Sequence, residues 1–346
     1  MQKNYAAIMA GGIGSRFWPA SRIQKPKQFL DILGTGETLL QSTFKRFLKI
    51  CDLDKIYILT NEDYIDLVKE QLPEINPENI LAEPARKNTA PCIAYASYKI
   101  HQLDPNANII VAPSDHIILK EEEFVRITNR AFDFVSQNNA LCTLGILPTR
   151  PDTGYGYIQY HEDISENEVY KVKTFTEKPN KETAEQFINS GDFLWNAGIF
   201  IWNVKNIISA FENYLHEVSD AFKDIVQYLN TEKETLAIEK AFAECPNISI
   251  DFGIMEKAEN VFVLPANLGW SDLGTWASLY AEKEKDYLQN AVSGKQVVIY
   301  DSYNNIINVP DNKLVVIEGL ENFIVVDSPD VLLICNKDNE QKIKDF

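Results

Sequence analysis

The sequence shows no cysteine pairing pattern, no long apolar run and no acidic residue in its first thirty positions, and each gap excludes something. The five cysteines, Cys51, Cys92, Cys142, Cys245 and Cys335, are odd in number, scattered and without a CxxC pair. That argues against a disulfide framework or a thiolate metal site and for a reducing cytoplasm, with the cysteines serving as small buried hydrophobes. No segment approaches the roughly 18 consecutive apolar residues of a membrane span. Met1-Gln2-Lys3-Asn4-Tyr5 runs straight into a short apolar strand without the layout of a signal peptide. A cytoplasmic protein with no membrane partner is expected. The formal net charge of −17 disfavours nucleic acid, whose phosphates would be repelled. Between Met1 and Leu30 there is no Asp or Glu, whereas Lys3, Arg16, Arg22, Lys25 and Lys27 are basic. A cationic stretch in an acidic chain suggests a pocket for a small polyanion, to be weighed against a chance cluster.

What is present is an ordinary globular composition, 45% hydrophobic and 24% charged over 346 residues. In the first half, short apolar runs alternate with helical patterns, the mark of βαβ units. Strands are expected at 5–10, 55–60, 79–82, 108–112 and 140–145, with helices around Leu40–Leu48 and over 62–72, 89–102 and 121–138. Strands near 155–160, 169–176 and 198–203 follow, then helical stretches around 205–216 and 220–243. From Val297 onward short strands dominate, separated by turn signals such as Pro310-Asp311-Asn312. The expected fold is α/β, a Rossmann-like mixed, mainly parallel sheet flanked by helices, with a small C-terminal β-rich domain. The boundary is placed so that 1–285 form the catalytic domain and 286–346 the β-rich one.

Polar or glycine-rich segments follow three strands directly: Gly11 to Arg16, Glu83 to Thr89, and Pro113 to His116. Ligands of open parallel sheets bind at the carboxyl ends of strands, so three such loops can converge on one site. Ala10-Gly11-Gly12-Ile13-Gly14-Ser15-Arg16 can cradle phosphates with backbone N–H groups. No Gly-Lys-Ser/Thr closes it, so it is not a P-loop, and Phe17 stands where a dinucleotide fingerprint needs glycine. A Rossmann dehydrogenase is thereby disfavoured.

The continuation Phe17-Trp18-Pro19-Ala20-Ser21-Arg22 and Lys25-Pro26-Lys27-Gln28-Phe29 completes a GGxGSRxWPxSRxxxPKQF pattern. This resembles the nucleotide-sugar pyrophosphorylases, in particular their mannose-1-phosphate guanylyltransferase branch. Glu83 to Pro91, Pro113-Ser114-Asp115-His116, Glu177-Lys178-Pro179, Trp195 to Phe200, Ser249-Ile250-Asp251, Ile254 to Lys257 and Gly269 to Trp276 follow in the order of that family, so the resemblance covers roughly residues 5 to 280. One departure stands out: the family usually reads RNTAP, and here Lys87 separates Arg86 from Asn88, which leaves the role of Arg86 open. Longer relatives carry a fused isomerase domain that this chain is too short to hold, so no isomerase activity is expected.

The resemblance implies transfer of GMP from GTP to α-D-mannose 1-phosphate, giving GDP-mannose and pyrophosphate. Such a reaction needs charge neutralisation more than a general base, because a sugar phosphate with a second pKa near 6 is already largely dianionic at neutral pH. By resemblance, Arg16 and Lys27 act on the triphosphate, Gly11, Gly12, Gly14 and Ser15 form the nucleotide loop, and Asn88 and Thr89 read the base. Gly156, Glu177, Lys178, Asn196 and Asp251 hold the sugar phosphate, and Asp115 and Asp272 hold Mg²⁺. A homodimer is the implied assembly. The same chemistry with another sugar or base is the nearest alternative, and a non-catalytic subunit that binds nucleotide sugars is another; the latter would be expected to lose Lys27 or the two aspartates. Blander roles compete as well: Lys27 as a surface lysine, Asp115 as a turn cap, His116 as a supporting residue, Asp251 as an orienting group. The remaining histidines show no constellation, and Trp18, Trp195, Trp270 and Trp276 are expected to pack.

Overall fold

The computed structural model describes residues 4–346; Lys3 of the basic stretch lies outside the described residues. The described residues divide into two compact units, one of residues 4–11, 43–114 and 118–270, the other of residues 12–42, 115–117 and 271–346.

Up to residue 271 the strands in chain order are β1 (Asn4–Met9), β2 (Ile56–Asn61), β3 (Ile80–Glu83), β4 (Asn108–Pro113), the two-residue β5 (Ile117–Ile118), β6 (Leu141–Ile146), β7 (Tyr157–Glu166), β8 (Val169–Thr176), β9 (Phe193–Asn203), β10 (Val261–Ala266) and the two-residue β11 (Trp270–Ser271). Nine of them form one mixed sheet in the order β3-β2-β1-β4-β9-β6-β10-β8-β7. The pairs of β1 with β2 and β4, β2 with β3, and β6 with β10 are parallel, while β9 runs antiparallel to β4 and β6. Strands covered on both faces read as mostly apolar runs, and every residue of β2 and β6 is buried, the polar Thr60, Asn61 and Thr143 included. The helix Glu121–Gln137 buries Phe124, Ile127, Thr128, Ala131, Phe132 and Val135, a helical stripe, and places three glutamates in its first turn, where the helix dipole favours them. Two elements not singled out by the sequence pattern are strand β10 and the helix Lys181–Ser190. All five cysteines are free and buried, as their scatter suggested. No described helix is long and apolar enough to cross a membrane.

The second unit has its own core, in which Phe17 packs on Trp276 with ring centroids 5.1 Å apart. Its C-terminal strands are β12 (Ala291–Ser293), β13 (Val297–Tyr300), β14 (Ile306–Asn308), β15 (Val315–Glu318), β16 (Phe323–Ser328) and β17 (Val331–Asn336). Ala291, Ile306 and Ile324 stack in parallel register, and Val297 stacks on Val315, so the expected β-rich region is coiled as parallel rungs of a β-helix. Buried asparagines fasten the rungs. Asn305 donates its amide to Asn290 Oδ1 and to Leu320 O, and its own Oδ1 accepts the Phe323 N–H.

Candidate active site

Within the second unit, Gly14, Ser15, Arg16, Lys27, Asp115 and Asp272 line a polar cavity of about 310 Å³. The nucleotide loop turns through Gly14 in a left-handed conformation, φ +64°, and then forms a short 3-10 turn over Ser15–Phe17. The loop is tied down twice: Ser21 Oγ donates to Gly14 O and Gln28 Nε2 donates to Gly12 O. Arg16 is exposed, and among the described residues it has no hydrogen-bonding or ion-pair partner.

Lys27 is the opposite case. It is buried, and its ammonium donates to Asp272 O at 2.9 Å and Leu273 O at 3.0 Å and pairs with Asp115 Oδ2 at 2.8 Å. Burial pushes the Asp115 carboxyl up, but the Lys27 charge, His116 and the hydrogen bond from Lys27 more than offset this and hold it below the usual carboxylate range. Asp115 lines the cavity as the ion-pair partner of Lys27. Asp272 Oδ1 accepts the Gly274 N–H at 3.0 Å. Among the described residues no three His, Cys, Asp or Glu side chains cluster as metal ligands. Two carboxylates suit Mg²⁺, a hard cation that takes oxygen donors and is commonly held by one or two carboxylates together with substrate phosphates.

Within the first unit, the five residues expected at the sugar phosphate come together. Asn196 N–H donates to Gly156 O at 2.8 Å, and Asn196 Nδ2 donates to Asp251 Oδ1 at 2.9 Å. A Cβ on Gly156 would lie 2.5 Å from Glu177 Oε2. Lys178, with φ +44°, turns its ammonium onto Glu177 Oε1 at 2.8 Å. Trp195 and Trp270 both pack edge-on against Tyr155, as packing residues do.

The loop after β3 is more committed to structure than its sequence suggests. Thr89 Oγ1 accepts the Ile250 N–H, and Arg86 donates to Tyr64 Oη while lying over the Tyr64 ring. Asn88, exposed and at φ +68°, caps the helix Thr89–Leu103 by accepting the Thr89 N–H. Gly11 sits beside this loop, where an added Cβ would be 3.8 Å from Glu83 Oε1.

The profile of the Nucleotidyl transferase family matches residues 5–290, and that of the MannoseP isomerase/GMP-like beta-helix domain matches residues 295–346. The chain belongs to the nucleotidyl transferase family. It is 37% identical to the mannose-1-phosphate guanylyltransferase of Salmonella muenchen, over 99% of this chain and 72% of that protein. It is 36% identical to mannose-1-phosphate guanylyltransferase RfbM of Salmonella typhimurium, over 97% of this chain and 70% of that protein. The crystal structure of mannose-1-phosphate geranyltransferase from Thermus thermophilus superposes with a TM-score of 0.88 at 28% identity, covering 99% of this chain and 98% of that one.

The sequence marks Glu83 as the start of the polar segment Glu83 to Thr89 but assigns it no role, and it does not single out Thr143 of this nucleotidyl transferase. Burial pushes the Glu83 carboxyl up to about 7, against the lowering effect of a hydrogen bond with Cys92 and the charge of Arg86. Thr143 Oγ1 donates to Asn196 Oδ1 and so holds the amide that faces Asp251. Thr143 lies in no glycine-rich or charged motif, and for Glu83 the motif flags the loop but only burial reveals the shifted carboxyl.

Asp251 gives a pH signature. Burial and the neighbouring Glu177 charge push its carboxyl up to about 6 from 3.8, the Asn196 hydrogen bond lowering it only in part. A carboxyl raised in the folded state favours folding while protonated, so this contribution is fullest below 3.8 and is lost as pH rises to about 6. Asp251→Asn keeps an acceptor for Asn196 and removes the buried charge. The variant is expected to melt above the parent at neutral pH, with the difference closing toward pH 3.8, as calorimetry across that range will read. A difference independent of pH would refute the assignment.

Proposed function

We propose that this enzyme transfers GMP from GTP to α-D-mannose 1-phosphate, forming GDP-mannose and pyrophosphate. The observation that carries the reading is the small polar cavity in which Arg16, without a partner among the described residues, the Lys27 ammonium and the carboxylates of Asp115 and Asp272 meet under a glycine-turned loop. The mannose-1-phosphate guanylyltransferases among its relatives direct the choice of sugar and base.

The sugar 1-phosphate brings its own nucleophile, a dianionic phosphate oxygen, so no side chain needs to remove a proton. Lys178 grips that phosphate, while Gly156, Glu177, Asn196 and Asp251 orient the sugar through its hydroxyls. Glu177 and Asp251 accept hydrogen bonds, and the bare Cα of Gly156 leaves room for the Glu177 carboxylate. Arg16 and Lys27 place positive charge on the triphosphate, where negative charge grows on the leaving pyrophosphate. The backbone of Gly11, Gly12, Gly14 and Ser15 approaches the nucleotide, and Asn88 and Thr89 border the base. Asp115 and Asp272 hold Mg²⁺, which when bound neutralises phosphate charge. The protein works in the cytoplasm, as a homodimer, with 1–285 as catalytic domain and 286–346 as the β-rich one.

Pyrophosphate release with GTP, ATP, UTP or dTTP, each paired with mannose or glucose 1-phosphate, tests the reading. Turnover is expected only with GTP and mannose 1-phosphate. Turnover with other pairs would retain the chemistry and reject the specificity. Silence on every pair from protein that still binds nucleotide would point instead to a regulatory subunit.

A further inference from the structure

Lysine has three N–H donors, and in Lys27 all three are engaged. Two go to neutral main-chain acceptors, Asp272 O and Leu273 O, in a turn where Leu273 stands at φ +45° and the Asp272 carboxylate accepts the Gly274 N–H. The third goes to a charged acceptor, Asp115 Oδ2. The Lys27 side chain is 5% exposed and the Asp115 side chain 30% exposed, so solvent and ligands reach this pair from the carboxylate side. An unpaired carboxylate in such a place is costly, and Lys27 offsets it. Yet this is one of the two carboxylates available to a divalent cation in the cavity, and two cations on one carboxylate repel each other.

We propose that Lys27 is a resident counter-ion for Asp115 that yields the carboxylate when nucleotide and cation enter. Its ammonium keeps its hold on the two carbonyls and turns its third donor from Asp115 to the triphosphate. Lys27 thereby couples the two ligands: nucleotide draws the ammonium away and frees Asp115, and a cation on Asp115 frees the ammonium for phosphate. Such coupling is reciprocal by thermodynamic necessity. The proposal rests on the reading above, in which Asp115 and Asp272 hold the cation and Arg16 and Lys27 the triphosphate.

Two binding measurements on the full chain test it. In the first, Mn²⁺ affinity without nucleotide is read by electron paramagnetic resonance. Lys27→Met is expected to bind Mn²⁺ roughly tenfold more tightly than the parent, because the competitor for Asp115 is gone. Arg16→Met removes the same charge from a residue not paired with Asp115 and is expected to show a much smaller gain. In the second, a fluorescent GTP analogue is titrated in excess EDTA. Asp115→Asn is expected to bind it several-fold more tightly than Asp272→Asn, because only the first substitution releases the ammonium. Unchanged or weaker Mn²⁺ binding by folded Lys27→Met, or equal gains in the two aspartate variants, overturns the proposal. If Lys27→Met fails to fold, the aspartate pair still decides. A parent protein that binds neither Mn²⁺ nor the analogue would instead sink the reading of the site itself.

Discussion

Arg16→Ala is expected to lower kcat by about two to three orders of magnitude while leaving the melting temperature unchanged, the cost typical of losing one preorganised donor to developing charge. Both halves follow from the same observation. The Arg16 side chain lines the cavity, is exposed and has no partner among the described residues, so its loss breaks no internal contact. An exposed cation lining a cavity of an acidic chain is available to an incoming anion. Steady-state kinetics with GTP and mannose 1-phosphate, alongside a thermal melt, separates the two effects. A drop in stability matching the drop in rate would show that Arg16 supports the loop instead of the reaction. Arg16→Lys is expected to recover part of the rate, since it restores the charge but not the planar fork that pairs with phosphate oxygens.

Gly14→Ala is expected to cost activity and stability together. At φ +64° a side chain is strained by about 1–2 kcal/mol before any contact is counted. The added Cβ would also lie 2.6 Å from Lys27 Cβ and 3.2 Å from Lys27 N, so the loop and the segment bearing Lys27 must move apart. Displacements near 1 Å at a phosphoryl-transfer site cost on the order of 10²-fold in rate. Gly12→Ala is the matched control, because nothing lies within 4 Å of its added Cβ and its φ is not positive. Calorimetry and kinetics on the pair should show a large loss for Gly14 and a mild one for Gly12. Equal losses would mean that backbone approach of ligand, not the fit against Lys27, governs both positions.

Elements whose stability is local were legible in the sequence. The helix Glu121–Gln137 shows its buried stripe and its acidic first turn within seventeen residues, and β2 and β6 are short, mostly apolar runs. Strand β10 was not legible: its run Val261–Ala266 follows a polar stretch, includes Pro265 and owes its place to a parallel partner, β6, more than a hundred residues earlier. The parallel rungs at the C-terminus were visible as strands but not as a coil. Their register depends on Asn290 and Asn305 meeting through space, and isolated asparagines between strands read as turn residues.

Residue types and their order established the chemistry on offer: an acid-free cationic opening with a glycine-rich turn and a Pro-Lys pair, while the pairing of Asp115 with Asp272 came only from the family resemblance. Residue types and short-range order suffice for that, because the family's blocks stand in unchanged order. How those groups are used depends on the folded chain. It grouped residues 12–42 and 115–117 with 271–346 in one compact unit, so that Lys27 meets Asp115 and the carbonyls of Asp272 and Leu273, while Arg16 is left exposed and without a partner among the described residues. It also buried Asp251 beside Glu177 and raised its carboxyl. Charge pairing and desolvation act over a few ångströms in space, and distance along the chain carries no record of which residues will come that close.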